Sequence, residues 1–250
     1  MSEHAPVPIG KQRTGRRRNS SFIRLVSAIC LALFLLASCG SQTTIHILLI
    51  GNSFTFFNDG IDKQLEGLAP SAAATRIAVG GYRLEDHWNG GDALQTIRKG
   101  GWDYVVLQEQ SQTPVSDPTT FFTAVREFDA EIRKSGAATV LLMTWERPDS
   151  VQYGITTDRL AAAYDSIGAE LGIKVAPAGL AFARSLQERP DLVLNSQDGH
   201  PTIYGIYLAA CVLYGTLFGK SPLGNAYVDR SIPAEIRDYL QQVAAESLGY

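Results

Sequence analysis

Apolar residues fall along this chain in two patterns, short continuous runs and longer stripes at helical spacing, and the two alternate. Ile45 to Ile50 is a short apolar run that reads as a buried strand, closed abruptly by Gly51-Asn52-Ser53. Asp59 to Leu68 follows with Ile61, Leu65 and Leu68 on one helical stripe. Ala74 to Val79 predicts a second strand ended by Gly80-Gly81, and Asp92 to Lys99 a short helix with Leu94 and Ile97 turned inward. Trp102 to Leu107 predicts a third strand whose Tyr-Val-Val-Leu centre suits burial on both faces. Pro118 to Lys134 repeats Phe121, Phe122, Val125, Phe128 and Ile132 at helical spacing and stops at Gly136. Ala138 to Met143 is a fourth strand, Thr157 to Leu171 a helix and Ile173 to Ala176 a short strand. Ala178 to Gln187, Thr202 to Phe218 and Ile232 to Leu248 complete the chain as helices. Strands fed by helices throughout predict a three-layer α/β/α domain around a mostly parallel sheet of about five strands. No repeat, low-complexity tract or linker interrupts residues 40–250, which read as one domain.

The first residues follow neither pattern. Lys11, Arg13, Arg16, Arg17, Arg18 and Arg24 precede the apolar run Leu25 to Leu36, which is short for a membrane span and has the polarity of an export signal. It ends in Leu36-Ala37-Ser38-Cys39-Gly40, similar to the lipobox of bacterial lipoproteins. By that resemblance residues 1–39 are a lipoprotein-type signal peptide and Cys39 is lipidated, anchoring an exported protein to the cell envelope through its membrane. An ordinary signal peptide with an incidental Cys is the alternative. Arg17-Arg18 fits a twin-arginine leader poorly.

Composition bounds the rest. Hydrophobic residues make up 45% and charged residues 19%, a globular balance. Without the leader, basic residues fall from 22 to 16 and acidic ones from 25 to 24, leaving a net charge of −8 and no basic patch for nucleic acid. Beyond Cys30 and Cys39 the only cysteine is Cys211, in the apolar run Tyr207 to Leu217, where it reads as a small buried hydrophobe. No metal-ligand spacing links the four His and three Cys, so neither metal nor cofactor is expected.

Chemistry concentrates at the carboxyl ends of the predicted strands, where parallel sheets place ligands. Ser53 is either a nucleophile or a capping hydroxyl there. Near the other end, Gln197-Asp198-Gly199-His200-Pro201 holds an imidazole and a carboxylate on one tight turn, as a general base needs. Asp198 as a plain helix cap is the other reading. The third strand runs into the amide-rich loop Gln108-Glu-Gln-Ser-Gln-Thr-Pro114. Trp145 and Glu146 follow the fourth strand, and Trp145 reads equally as a cleft wall or as core. His87 reads as a cleft, surface or helix-start residue, and His46 as a strand residue.

The order of these blocks resembles the SGNH/GDSL hydrolase superfamily, in a bacterial branch whose first block reads Gly-Asn-Ser-Phe. The resemblance spans about residues 45 to 220 and rests on joint order rather than on any single motif. It implies a flavodoxin-like sheet and a serine esterase acting without a cofactor on a short-acyl, often carbohydrate, ester. Ser53 would attack, His200 would serve as base and Asp198 would orient it. The oxyanion would be held by the Ser53 N–H, a glycine N–H of the second block (Gly81) and a side-chain amide of the third. The family's third-block Asn is absent. Counting along the strand puts Gln112 at that place, with Gln110 or Gln108 if the loop is shorter. The family places its Asp three residues before the His, whereas Asp198 is two before His200, so a backbone carbonyl is the alternative orienting group. A glycan-binding surface protein that keeps the fold without turnover is the rival function.

Overall fold

In the computed structural model the described residues are 1, 2, 4, 10 and 43–250. The expected signal peptide, Cys30 and the lipobox ending at Cys39 lie outside them. Residues 43–250 form one compact unit.

The predicted alternation is present. Five strands, β1 (Ile45–Gly51), β2 (Ala72–Ala78), β3 (Tyr104–Leu107), β4 (Ala138–Leu142) and β5 (Lys174–Ala176), form one sheet in the order β2-β1-β3-β4-β5. Every pairing is parallel, so the sheet is wholly rather than mostly parallel. Side-chain alternation explains why β1, β3 and β4 are apolar without a break. Ile47, Leu49, Val106, Val140 and Leu142 pack into one core layer, while Leu48, Ile50, Val105, Leu107 and Leu141 pack into the other.

Three helices escape the periodicity reading: α1 (Ser53–Phe56) and α5 (Thr113–Ser116) are too short to show a stripe, and α3 (Leu84–Gly90) buries only Leu84 and the polar His87. The others are α2 (Ile61–Leu68), α4 (Asp92–Arg98), α6 (Pro118–Lys134), α7 (Thr157–Leu171), α8 (Ala178–Glu188), α9 (Ile203–Phe218) and α10 (Ala234–Ser247). Helices α2, α8, α9 and α10 cover one face of the sheet, and α3, α4, α6 and α7 the other. Helix α9 is apolar nearly all round because neighbours enclose it, and Cys211 within it is fully buried. Among the described residues no helix is long and apolar enough to cross a membrane, and no cluster of His, Cys, Asp and Glu could hold a metal ion.

Candidate active site

The carboxyl ends of β1, β3 and β4 and the turn before α9 enclose a cleft of about 410 Å³. Ser53, Gly80, Gly81, Gln110, Ser111, Arg147, Asp198 and His200 all line it.

The serine side is built from the inside of the protein. Gly51 ends β1 where an added Cβ would lie 2.4 Å from Thr55 Oγ1 and 2.5 Å from Gln108 Oε1, so only glycine lets the chain turn there. Asn52 caps α1: its Oδ1 accepts from Phe54 N at 3.1 Å, and its Nδ2 donates to the Tyr82 carbonyl at 2.9 Å. Gln108 locks this turn to β3. Its Oε1 accepts from Asn52 N at 3.0 Å and from Thr55 Oγ1 at 2.8 Å, and its Nε2 donates to Asn52 Oδ1 at 3.1 Å and to the Glu109 carbonyl. That side chain is consumed by scaffolding and has no amide hydrogen to offer a substrate. Ser53 stands at the first helical position, 8% exposed. Helix geometry gives its N–H no partner within α1, and none is supplied elsewhere among the described residues.

The glycine loop after β2 forms the next wall. Tyr82 N donates to the Val79 carbonyl at 3.1 Å, and Gly81 sits at φ +78°, the left-handed third position of a type II turn. His87 anchors this wall from below. Where the sequence left a cleft, surface or helix-start histidine, the structure has a buried one, 4% exposed, bonded through Nε2 to the Gly51 carbonyl at 2.7 Å. A carbonyl can only accept, so Nε2 carries the hydrogen; burial lowers the pKa of the ring and favours that neutral form.

The amide loop corrects one expectation. Gln112 does not line the cleft, whereas Gln110 does. The loop is shorter than the count along β3 assumed, because α5 begins at Thr113 and uses Gln112 as its N-cap residue. The Gln110 Oε1 accepts from Gln112 N at 2.8 Å and Thr113 N at 3.2 Å. Fixing the oxygen on these N–H groups leaves the NH₂ end as the free donor of the amide.

The histidine side is built from a turn. Ser196 N donates to the His200 carbonyl at 2.8 Å and Gly199 N to the Ser196 carbonyl at 2.9 Å, closing Ser196–His200 into a loop. Asp198 accepts from Ser196 Oγ at 2.5 Å and from His200 N at 3.1 Å. These bonds tighten the turn enough that Asp198 Oδ2 lies 3.0 Å from His200 Nδ1 despite the shorter spacing. The ring N–H is not aimed along that line, so the contact is a close approach rather than an aligned hydrogen bond. The Ser196 hydroxyl first, then the nearby imidazole and the His200 backbone N–H, hold the Asp198 carboxyl well below the usual carboxylate range. Phe57 stacks on the imidazole at 4.0 Å between centroids, and Asn58 Nδ2 donates to the Pro201 carbonyl at 2.8 Å. The segment after Ser53 therefore holds the ring from one side. No direct hydrogen bond joins Ser53 Oγ to His200 among the described residues, as is common for a resting hydrolase.

Two further residues were not legible from sequence. Arg147 lines the cleft with its guanidinium against Gly199, where a Cβ would stand 2.5 Å from its Nε, and pairs with Asp149 at 3.1 Å. Glu109 is fully buried behind the cleft. Trp145 is core: it is fully buried and stacks between Phe54 at 4.6 Å and Phe182 at 4.1 Å. His46 is a residue of β1, as expected.

No family model and no curated protein matches the chain. Solved structures do. A protein described as an SGNH hydrolase from Slackia heliotrinireducens is 30% identical, matches 70% of this chain and 100% of its own length, and superposes with a TM-score of 0.63. A DUF4886 family protein from Bacteroides uniformis is 19% identical over 83% of this chain and 96% of its own, with a TM-score of 0.69. A lipase/acylhydrolase from Enterococcus faecalis is 16% identical over 70% of this chain and 96% of its own, with a TM-score of 0.55, a likeness of fold.

Proposed function

The chain belongs to the SGNH hydrolase family, and from that premise we propose that it is a serine esterase that works through an acyl-enzyme on Ser53. One observation carries the proposal: a single cleft gathers Ser53, Gly81, Gln110 and His200 from four separate segments of the chain. In the reaction, Ser53 Oγ attacks the ester carbonyl while His200 Nε2 takes its proton. The developing oxyanion meets three donors: the Ser53 N–H, the Gly81 N–H and the Gln110 NH₂. His200 returns the proton to the departing alcohol oxygen, and water repeats the sequence to release the acid. Asp198 stabilises the imidazolium by proximity.

The substrate class we propose is a short-acyl ester, with an O-acetylated carbohydrate as the leading form. Hydrolysis of a p-nitrophenyl ester series by wild type and Ser53→Ala tests the enzyme reading. Turnover of the short esters that falls by at least about 10⁴-fold in Ser53→Ala supports it. No turnover of any ester by the wild type, with retained binding of glycan, favours the non-catalytic alternative and sinks this one.

We further propose export and lipid anchoring at Cys39, supported by the basic leader, the apolar run and Leu36-Ala37-Ser38-Cys39. Metabolic labelling with a fatty acid should mark the wild type and not Cys39→Ser; equal labelling of both would refute it.

A further inference from the structure

The two outer donors of the oxyanion site belong to different loops, and the bonds within each loop do not tie it to the other. Gly81 lies in the turn between β2 and α3, and Gln110 in the loop after β3. One side chain touches both. Glu109 Oε1 accepts from Gln110 N at 2.6 Å and from Leu84 N, the first residue of α3, at 3.2 Å; Oε2 lies 3.4 Å from the same Leu84 N. The carboxyl group is 0% exposed. A buried carboxylate is costly, and a glutamine or an apolar residue would fill the same space at lower cost. Its presence calls for a task that needs the charge.

We propose that ionised Glu109 is a positioning residue that holds the Gly80–Gly81 turn and Gln110 in the mutual register required of oxyanion donors. The inference rests on the esterase reading above. Charge-assisted bonds to backbone N–H groups are shorter and about twice as strong as neutral ones, and the 2.6 Å contact to Gln110 N is of that kind. Protonation on Oε2, the oxygen with the weaker contact, leaves the same atoms in place but slackens their hold.

The surroundings do not neutralise this charge. Arg83, before α3, draws the Glu109 pKa down, but its side chain is 44% exposed and lies 3.7 Å from Asp117. Asp86 on α3 repels the carboxylate, His87 on the same helix is engaged with Gly51, and Tyr164 on α7 is fully buried and un-ionised. Burial therefore dominates and pushes Glu109 up to about 7, against the backbone N–H bonds that pull it down. The group changes charge within the working range of a histidine base.

The test is the ratio of wild-type to Glu109→Gln kcat across pH 5 to 8, measured on one short-acyl p-nitrophenyl ester. Any ionisation that the two proteins share cancels in the ratio. We expect a ratio of about 10 to 100 at pH 8, with KM within about twofold, shrinking toward 1 at pH 5 as the wild type takes on the neutral form that Gln imitates. A ratio that does not change with pH, large or small, overturns the proposal. Should Glu109→Gln fail to fold, the wild type decides alone. An acid limb of log kcat/KM steeper than unit slope supports a second ionisation, and unit slope contradicts it. A wild type that cleaves no ester overturns the esterase reading and this inference together; an active wild type with a flat ratio overturns only the inference.

Discussion

The two halves of the proposed catalytic machinery are built to different specifications. The serine half grows out of the sheet: Gly51, Asn52, Thr55 and Gln108 are each at most 2% exposed or closed to any added Cβ, and their hydrogen bonds cross from β1 to β3. The histidine half sits on a turn at the surface, where the Asp198 side chain is 64% exposed and the His200 side chain 29%. Polar interactions are strong where water is absent and weak where it competes. The serine and its donors should therefore be intolerant of change, and the acid that assists the base should be replaceable.

The sharpest way to break that contrast is Gln108→Ala. It leaves Asn52 N and Thr55 Oγ1 without a partner in a dry interior and Asn52 Oδ1 with Phe54 N alone. Each buried group so orphaned costs on the order of 1 kcal/mol or more, so we expect about 3 kcal/mol of lost stability and a fall in kcat of about 100-fold. Urea unfolding and steady-state kinetics on the same preparation check both. A loss below about 1 kcal/mol would mean that the turn at Ser53 holds itself.

Next in size is the pH dependence of stability set by Glu109. Its folded pKa of about 7 lies above its ordinary value of 4.5, so between the two the folded protein holds a proton that the unfolded chain releases. The favourable contribution is thus complete below about pH 4.5 and is lost as pH rises through about 7. Relative to Glu109→Gln, wild type should lose roughly 3 kcal/mol of unfolding free energy between pH 4 and pH 8. Parallel denaturant titrations at the two ends of that range would show it, and a constant difference would refute it.

The smallest effect sharpens the comparison from the other side. Where a buried triad acid is worth about 10⁴-fold, Asp198→Asn should lower kcat/KM only on the order of 10-fold, because the Asp198 side chain is 64% exposed to water and its contact with His200 Nδ1 is misaligned. A loss near 10⁴-fold would show that the turn closes over substrate and buries Asp198.

The same contrast marks what could be read from the chain alone. Strands β1, β3 and β4 and the longer helices were legible because each buries a continuous run or a stripe, β2 and β5 were legible from their place in the alternation, and the block order placed Ser53, Gly81, His200 and Asp198 on one cleft. Helices α1 and α5 carry no period to detect, and α3 turns only Leu84 and the polar His87 inward. Gln112 rather than Gln110 came from counting along the chain after β3 as if it were open loop, whereas Gln112 is already the N-cap residue of α5, and only the hydrogen bonds on Gln110 Oε1 reveal which end of its amide is free. Gln108 and Glu109 were invisible as scaffold because their partners lie at Asn52, Thr55 and Leu84, far away in sequence. Phe57, stacked on His200, looked like one aromatic among several.

The central claim is that Ser53 is a nucleophile raised by its surroundings above an ordinary serine. Incubation with a fluorophosphonate followed by mass spectrometry of peptides tests it most directly. We predict one adduct, on the peptide containing Ser53, that vanishes in Ser53→Ala and forms far more slowly in His200→Ala. An unlabelled wild type, or an adduct that persists in Ser53→Ala, would contradict the account.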